Sequence, residues 1–152
     1  MTSWADVVTA EPALAERVRA AFAVRKHATL ATLRLDGSPR ISGTEVEFDD
    51  DGELHLGSMP GARKAQDLRR DPRLALHSPT VDAPEEDPSA WTGEGKIAGL
   101  GIEVSDPGSR DAPHRFRVEV AEVVLTRVGQ PPDHLVIESW HPGRGLERHE
   151  RR

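Results

Sequence analysis

The apolar positions change period once, early in the chain. Leu14, Val18, Ala21 and Phe22 recur at helical spacing, with Glu11 and Pro12 in the first turn, so a helix is predicted over residues 10–25. From His27 to Leu35 the period shortens to two, and small, β-branched and aliphatic residues run as a strand into the hairpin signal Asp36-Gly37. The return strand is Arg40 to Phe48. Asp49 to Gly52 is a second turn, and Glu53 to Ser58 a third strand with Leu54 and Leu56 on one face.

Gly61 to Arg70 reads as a short helix with Ala65 and Leu68 inward, stopped at Asp71-Pro72 because a proline disfavours helix in the residue before it. Arg73 to His77 is a fourth strand. Residues 79–91, with three prolines and several acids, form a solvated loop. Lys96 to Val104, Arg115 to Val128 and His134 to Trp140 supply further strands, with turns over 106–113 and 129–133, and 141–152 reads as a polar tail. The sum is one mainly β domain over residues 1–152, with six or seven antiparallel strands, an N-terminal helix and a short inserted helix. A closed or nearly closed barrel is the expected architecture.

Composition narrows the function. A net charge of −6 argues against a general nucleic-acid binder, since neutralising phosphates needs a surplus of Lys and Arg. No apolar run approaches the ~20 residues of a membrane span. The first residues lack a basic run before an apolar core, so no signal peptide is expected and a cytoplasmic location is. The absence of cysteine excludes thiol catalysis and thiolate metal sites. Seven histidines are present, but none has ligand spacing, and no metal is expected. His55 and His77 alternate with leucines and read as outward-facing or as hydrogen-bonded core residues. No Ser-His-Asp set or carboxylate pair stands out and there is no tyrosine, so catalytic residues are not assignable and chemistry must come from a cofactor.

The one local inconsistency is Arg63-Lys64 in the first turn of the short helix. Cations sit badly there, because the N-terminal end of a helix is already positive. An anion resolves the conflict, bound by both side chains and by the free N–H groups of that turn. The small residues Gly57, Ser58 and Gly61, with Pro60, let a ligand approach the backbone. The competing reading has both side chains in solvent, with Asp67 as their partner one turn on.

Residues Ala62 to Leu76 resemble the segment Ser-Arg-Lys…Leu-x-x-Asn-Pro-x-(Ala/Val)-x-Leu of the pyridoxamine 5′-phosphate oxidase-like, FMN-binding split-barrel family. The order of elements resembles that family from Arg40 to about Val128, and the resemblance implies a split barrel and a flavin-dependent oxidoreductase. It implies that Arg63 and Lys64 hold the FMN phosphate. Gly57 and Ser58 would lie against the flavin or its ribityl chain, and the backbone of Arg40, Ile41, Ser42 and Gly43 would line the ring. It further implies a homodimer with the cofactor at the interface, Glu94 and Lys96 being offered from the facing subunit. The deazaflavin coenzyme F-420 is the alternative cofactor, and a non-catalytic cofactor- or haem-binding barrel the alternative role. The phosphate-gripping C-terminal Arg-x-His-x-x-Arg segment of the true oxidases has no counterpart, since His114 to Arg117 neither fits it nor lies late enough; pyridoxamine 5′-phosphate is therefore not the expected substrate.

Three further residues stay open. Lys96, in a glycine-rich strand, reads as a cofactor contact or as an edge charge that discourages strand addition. Trp140 reads as a flavin-stacking residue, a dimer contact or a cover for the barrel end. Arg144 is a partner for an acidic substrate or for the acidic tail of the deazaflavin.

Overall fold

The computed structural model describes residues 2–105 and 111–152. Two helices open the chain, α1 (Trp4–Ala10) and α2 (Pro12–Ala23), where a single helix is predicted. Ser3 and Asp6 cap α1 reciprocally, and Glu11 ends it. Pro12 then starts α2 at a position that has no hydrogen bond to lose. The strands are β1 (Ala28–Leu33), β2 (Pro39–Thr44), β3 (Val46–Phe48), β4 (Leu54–Ser58), β5 (Arg73–His77), β6 (Glu94–Glu103), β7 (His114–Val128), β8 (Leu135–His141) and β9 (Gly145–Arg151). The inserted helix α3 (Arg63–Arg70) lies between β4 and β5.

All nine strands belong to one antiparallel sheet, ordered β2-β1-β5-β6-β7-β4-β3, with β8 on the side of β7 and β9 on β8. β2 and β3 stand at opposite ends of that order, yet only Glu45 separates them in sequence. The chain thus closes the sheet into a barrel by changing pairing partners at Glu45, from β1 to β4. This divides the return strand predicted over residues 40–48. The expected polar tail is corrected too: its residues 145–151 form β9, registered on β8 from His141↔Gly145 to Leu135↔Arg151. Among the described residues the strands number nine rather than six or seven. The 79–91 loop carries a 3-10 turn, Pro88–Ala90, and is tethered where the Trp91 indole N–H donates to the Val81 carbonyl at 2.8 Å. Part of the turn predicted over 106–113 lies outside the described residues.

The barrel interior is aliphatic. Leu30, Leu54, Leu56, Leu76, Ile97, Phe116, Val118, Val123 and Leu125 are all buried. α2 lays Val18 and Phe22 across β6 at Gly95, where a Cβ would come within 3.1–3.2 Å of both. Trp4 and Phe22 meet Phe48 edge-on, with ring centroids 4.8 and 6.0 Å apart, which seats both helices on the barrel. β7 bulges at Ala121, opposite Ala98 and Gly99 of β6, and a side chain on Gly99 would run into the carbonyl oxygen of Glu119. Trp140 is buried in this same core, which leaves it unable to stack on a bound ligand. No helix among the described residues is long and apolar enough to cross a membrane.

Candidate cofactor site

Helix α3 is pinned from below and open at its start. Ala65 and Leu68 are buried against the barrel, and Asp67 beside them is buried as well. The Asp67 carboxylate accepts from the Thr32 hydroxyl at 2.8 Å, from Arg40 Nε at 2.7 Å and from Arg70 at 3.0 Å. One buried acid thereby ties α3 to β1 and β2. Burial pushes its pKa up, but hydrogen bonds from Arg40, Thr32 and Arg70 prevail and hold it below the ordinary value. The partnership expected between Asp67 and the Arg63-Lys64 pair does not form; Asp67 serves Arg40 and Arg70 instead.

The first turn of α3 has no such support. Its N-cap, Ala62, offers no side-chain acceptor. Arg63 is exposed and makes no ion pair or hydrogen bond among the described residues. Lys64 is partly buried, and its ammonium donates to the Gly43 carbonyl at 2.9 Å, a neutral partner across on β2. That burial lowers its pKa. The positive end of α3 thus carries two cations in its first turn with no carboxylate partner among the described residues.

The structure brings most of the predicted residues to this region. Arg40, Ile41, Ser42 and Gly43 lie in order along β2, and Lys64 fastens α3 to the last of them. Arg40 reaches Asp67 with its side chain and stands opposite Thr32 of β1 in the ladder. Gly57 and Ser58 end β4, just before the turn into α3. A Cβ at Gly43 or Gly57 would meet nothing within 4 Å, and neither has a positive φ, so the fold itself does not require glycine at either place. A molecule lying against the backbone would.

Glu94 and Lys96 sit elsewhere, at the start of β6 on the outer face of the sheet. Glu94 lies 3.7 Å from His77, and Lys96 shares with Ile41, Ala75 and Glu122 a shallow cavity of about 230 Å³. Ile41 is 74% exposed there. His55 is paired with Asp49, and His77 shares a hydrogen with the Ser78 carbonyl at 2.6 Å. Among the described residues no group of three or more His, Asp or Glu is arranged to hold a metal.

A second set of partners escaped the sequence reading. Arg69 makes a two-pronged ion pair with Glu103 on β6, both contacts 2.7 Å, and this pair, aided by Ser105 and His114, holds the Glu103 pKa down at about 2. His114, nearly buried at the start of β7, accepts a hydrogen bond from the Gly61 N–H at 3.2 Å. The only hint of Asp67 in the sequence is an acid lying in the inward stripe of α3, next to Leu68.

A barrel closed through a strand exchange, with a short helix inserted between two of its strands, is a split barrel. Residues 14–119 match the family described as pyridoxamine 5′-phosphate oxidase, and the chain belongs to it. No curated protein sequence matches it. Among solved structures, PhzG from Burkholderia lata 383, in complex with tetrahydrophenazine-1-carboxylic acid, superposes with a TM-score of 0.63 at 11% identity, over 97% of this chain and 92% of its own. A pyridoxamine 5′-phosphate oxidase-related, FMN-binding protein from Nostoc punctiforme superposes at 0.62 with 11% identity, over 100% and 98%. A heme-binding protein from Mycobacterium smegmatis reaches 0.52 at 15% identity, over 93% and 88%. At such identities the likeness is one of fold.

Proposed function

We propose that the protein is an FMN-dependent oxidoreductase that holds the coenzyme phosphate at the start of α3. The observation that carries this reading is the first turn of α3: Arg63 and Lys64 stand there without a carboxylate, because the one acid on the inward side of the helix is spent on Arg40 and Arg70. Arg63 and Lys64 neutralise the phosphate, and the first-turn N–H groups complete its hydrogen bonding. The bare backbone at Gly43 and Gly57 gives the rest of the molecule a surface to lie on. FMN, when bound, supplies hydride transfer at its ring. The named FMN-binding relative from Nostoc supports the choice of coenzyme.

The same reading makes the protein a homodimer. Glu94 and Lys96 lie on the outer face of the sheet, Lys96 beside the exposed Ile41, where they would meet a coenzyme held by the facing subunit. The exposed Ile41 and the neighbouring Ala75 give that outer face an apolar centre.

The test is an absorbance spectrum of the purified protein, followed by titration with FMN read by flavin fluorescence. Arg63→Ala combined with Lys64→Ala is expected to weaken binding more than about 100-fold, since each charge-assisted contact contributes ~1.5–3 kcal/mol. An unchanged affinity in the double variant would refute the phosphate assignment. A deazaflavin band in place of the flavin spectrum would transfer the reading to coenzyme F-420. A preparation that binds neither coenzyme would remove it.

A further inference from the structure

The turn that leads into α3 hangs on a histidine. Gly61 has φ +73°, in the left-handed region where glycine is at ease, and its N–H points at His114 Nε2, 3.2 Å away. To accept that bond Nε2 must carry no proton, so the neutral ring has its hydrogen on Nδ1. Nδ1 lies 3.4 Å from Glu103 Oε1 and 3.1 Å from Arg69 Nη2. Because the ring's single acceptor is used on Gly61, Nδ1 donates to Glu103 Oε1, the oxygen to which Arg69 Nη2 also donates, while Arg69 Nε holds the other carboxylate oxygen. Ser105 adds a hydroxyl donor to the same Glu103 oxygen and accepts from the Arg115 N–H, fixing the carboxylate that orients the ring.

The chain runs from Glu103 on β6, through His114 on β7, to the turn three residues before Lys64. From that placement we infer that neutral His114 is the positioning residue of the phosphate grip, and that protonating it releases the Gly61 turn and weakens the grip. This rests on reading the start of α3 as a phosphate site. Among the described residues, the charged groups in contact with the ring are Arg69 from α3 and Glu103 from β6. The cavity beside His114 is also lined by Glu45, by Glu47 on β3, by His55 on β4 and by Arg115, which pairs with Asp49 and Glu47. Opposite His114 on β4 stands Ser58, its register partner, and beyond it Gly61, neither charged. When Nε2 gains a proton it faces the Gly61 N–H donor to donor, and the turn has to move away. Its displacement carries the first-turn N–H groups with it. Acid then acts on affinity twice: on the phosphate, whose second ionisation lies near ~6, and on the protein that holds it.

A glutamine at position 114 separates the two effects, since its amide oxygen reaches about as far as Nε2 and does not titrate, whereas leucine offers no acceptor. FMN affinity would be measured for the wild type, His114→Gln and His114→Leu from about pH 7.5 to about pH 5.5, the interval in which histidines change charge. The Gly61 amide resonance of the unliganded wild type would be followed over the same range. The wild type is expected to lose roughly three- to tenfold more affinity across the interval than His114→Gln, about one hydrogen bond's worth. His114→Leu is expected to bind roughly that much more weakly than wild type even at the upper end. The Gly61 amide should shift in step with the His114 ring. Parallel pH profiles for wild type and His114→Gln, a leucine variant as tight as wild type, or a Gly61 amide indifferent to the titration of His114 would each overturn the inference. If the wild type takes up no FMN at any pH, the coenzyme reading fails separately, and the amide titration alone decides whether His114 holds the turn.

Discussion

Replacing Asp67 with alanine should be among the most damaging single changes in the molecule. The carboxylate is only 3% exposed, and it is the shared acceptor for Thr32, Arg40 and Arg70. Its removal leaves the Arg40 guanidinium, 21% exposed, with no counter-charge, and the buried Thr32 hydroxyl without an acceptor. Arg70, at 36% exposed, turns to solvent at little cost. Breaking one side of a largely buried pair costs about 3–5 kcal/mol, because an uncompensated charge stays behind. Thr32→Val, which removes only a hydroxyl, should cost about 1 kcal/mol. In urea denaturation, with a slope of about 2 kcal/mol per molar, Asp67→Ala should lower the midpoint by about 1.5–2.5 M. The penalty has a defined pH dependence. The folded pKa of Asp67 lies below the unfolded one, so its contribution is complete above about pH 4 and fades as pH falls through the lowered folded value. A midpoint shift under about 0.5 M at neutral pH would refute the claim that this carboxylate ties α3 to the barrel.

Two further outcomes test separate parts of the structure. Gly57→Val meets open space and a strand conformation, so stability should change by no more than about 0.5 kcal/mol while FMN affinity drops at least about tenfold; a variant that binds as well as wild type would place the coenzyme elsewhere. Glu103 contributes stability that is complete above its ordinary pKa of 4.5 and is lost as pH falls toward about 2, because the unfolded chain takes up the proton first. Glu103→Gln should therefore flatten the acid limb of thermal stability between those values, and an acid limb identical to wild type would show that the Arg69 pair contributes nothing.

What the sequence displayed and what it hid follow from where each element finds its partners. α2, β1, β4, β5 and β7 bury one face against the barrel, and their apolar period showed it. α3 was legible from Ala65, Leu68 and the Asp71-Pro72 stop. β9 was not, because Glu147, Arg148, His149, Glu150 and Arg151 are all exposed and the strand exists through its pairing with β8. The break at Glu45 was hidden for another reason: it marks a change of hydrogen-bonding partner, and alternation continues through such a change undisturbed. α1 is short and buries only Trp4 and Val7, so its one local sign was the Ser3–Asp6 capping pair. At the site, Arg63 and Lys64 were visible as residues wrongly placed for a helix. Asp67, Glu103 and His114 were not, since each has a partner far off in sequence: Arg40 for Asp67, Arg69 for Glu103 and Gly61 for His114.

The fate of Asp67 also changes the meaning of the oddity at the start of α3. With an acid three residues past Lys64, the helix could have neutralised its own first turn at the surface. It directs that acid inward, where Arg40 and Thr32 hold it, and leaves Ala62 as a cap with nothing to offer. Every local choice in this turn works against the helix: no cap, two cations at the positive end, and one of them partly buried against a neutral carbonyl. Sequences tolerate such conflicts chiefly where function demands it. The main hold on α3 is through Ala65, Asp67 and Leu68, and Arg63 adds nothing to it among the described residues. In the proposed function, what needs Arg63 and Lys64 is the coenzyme phosphate.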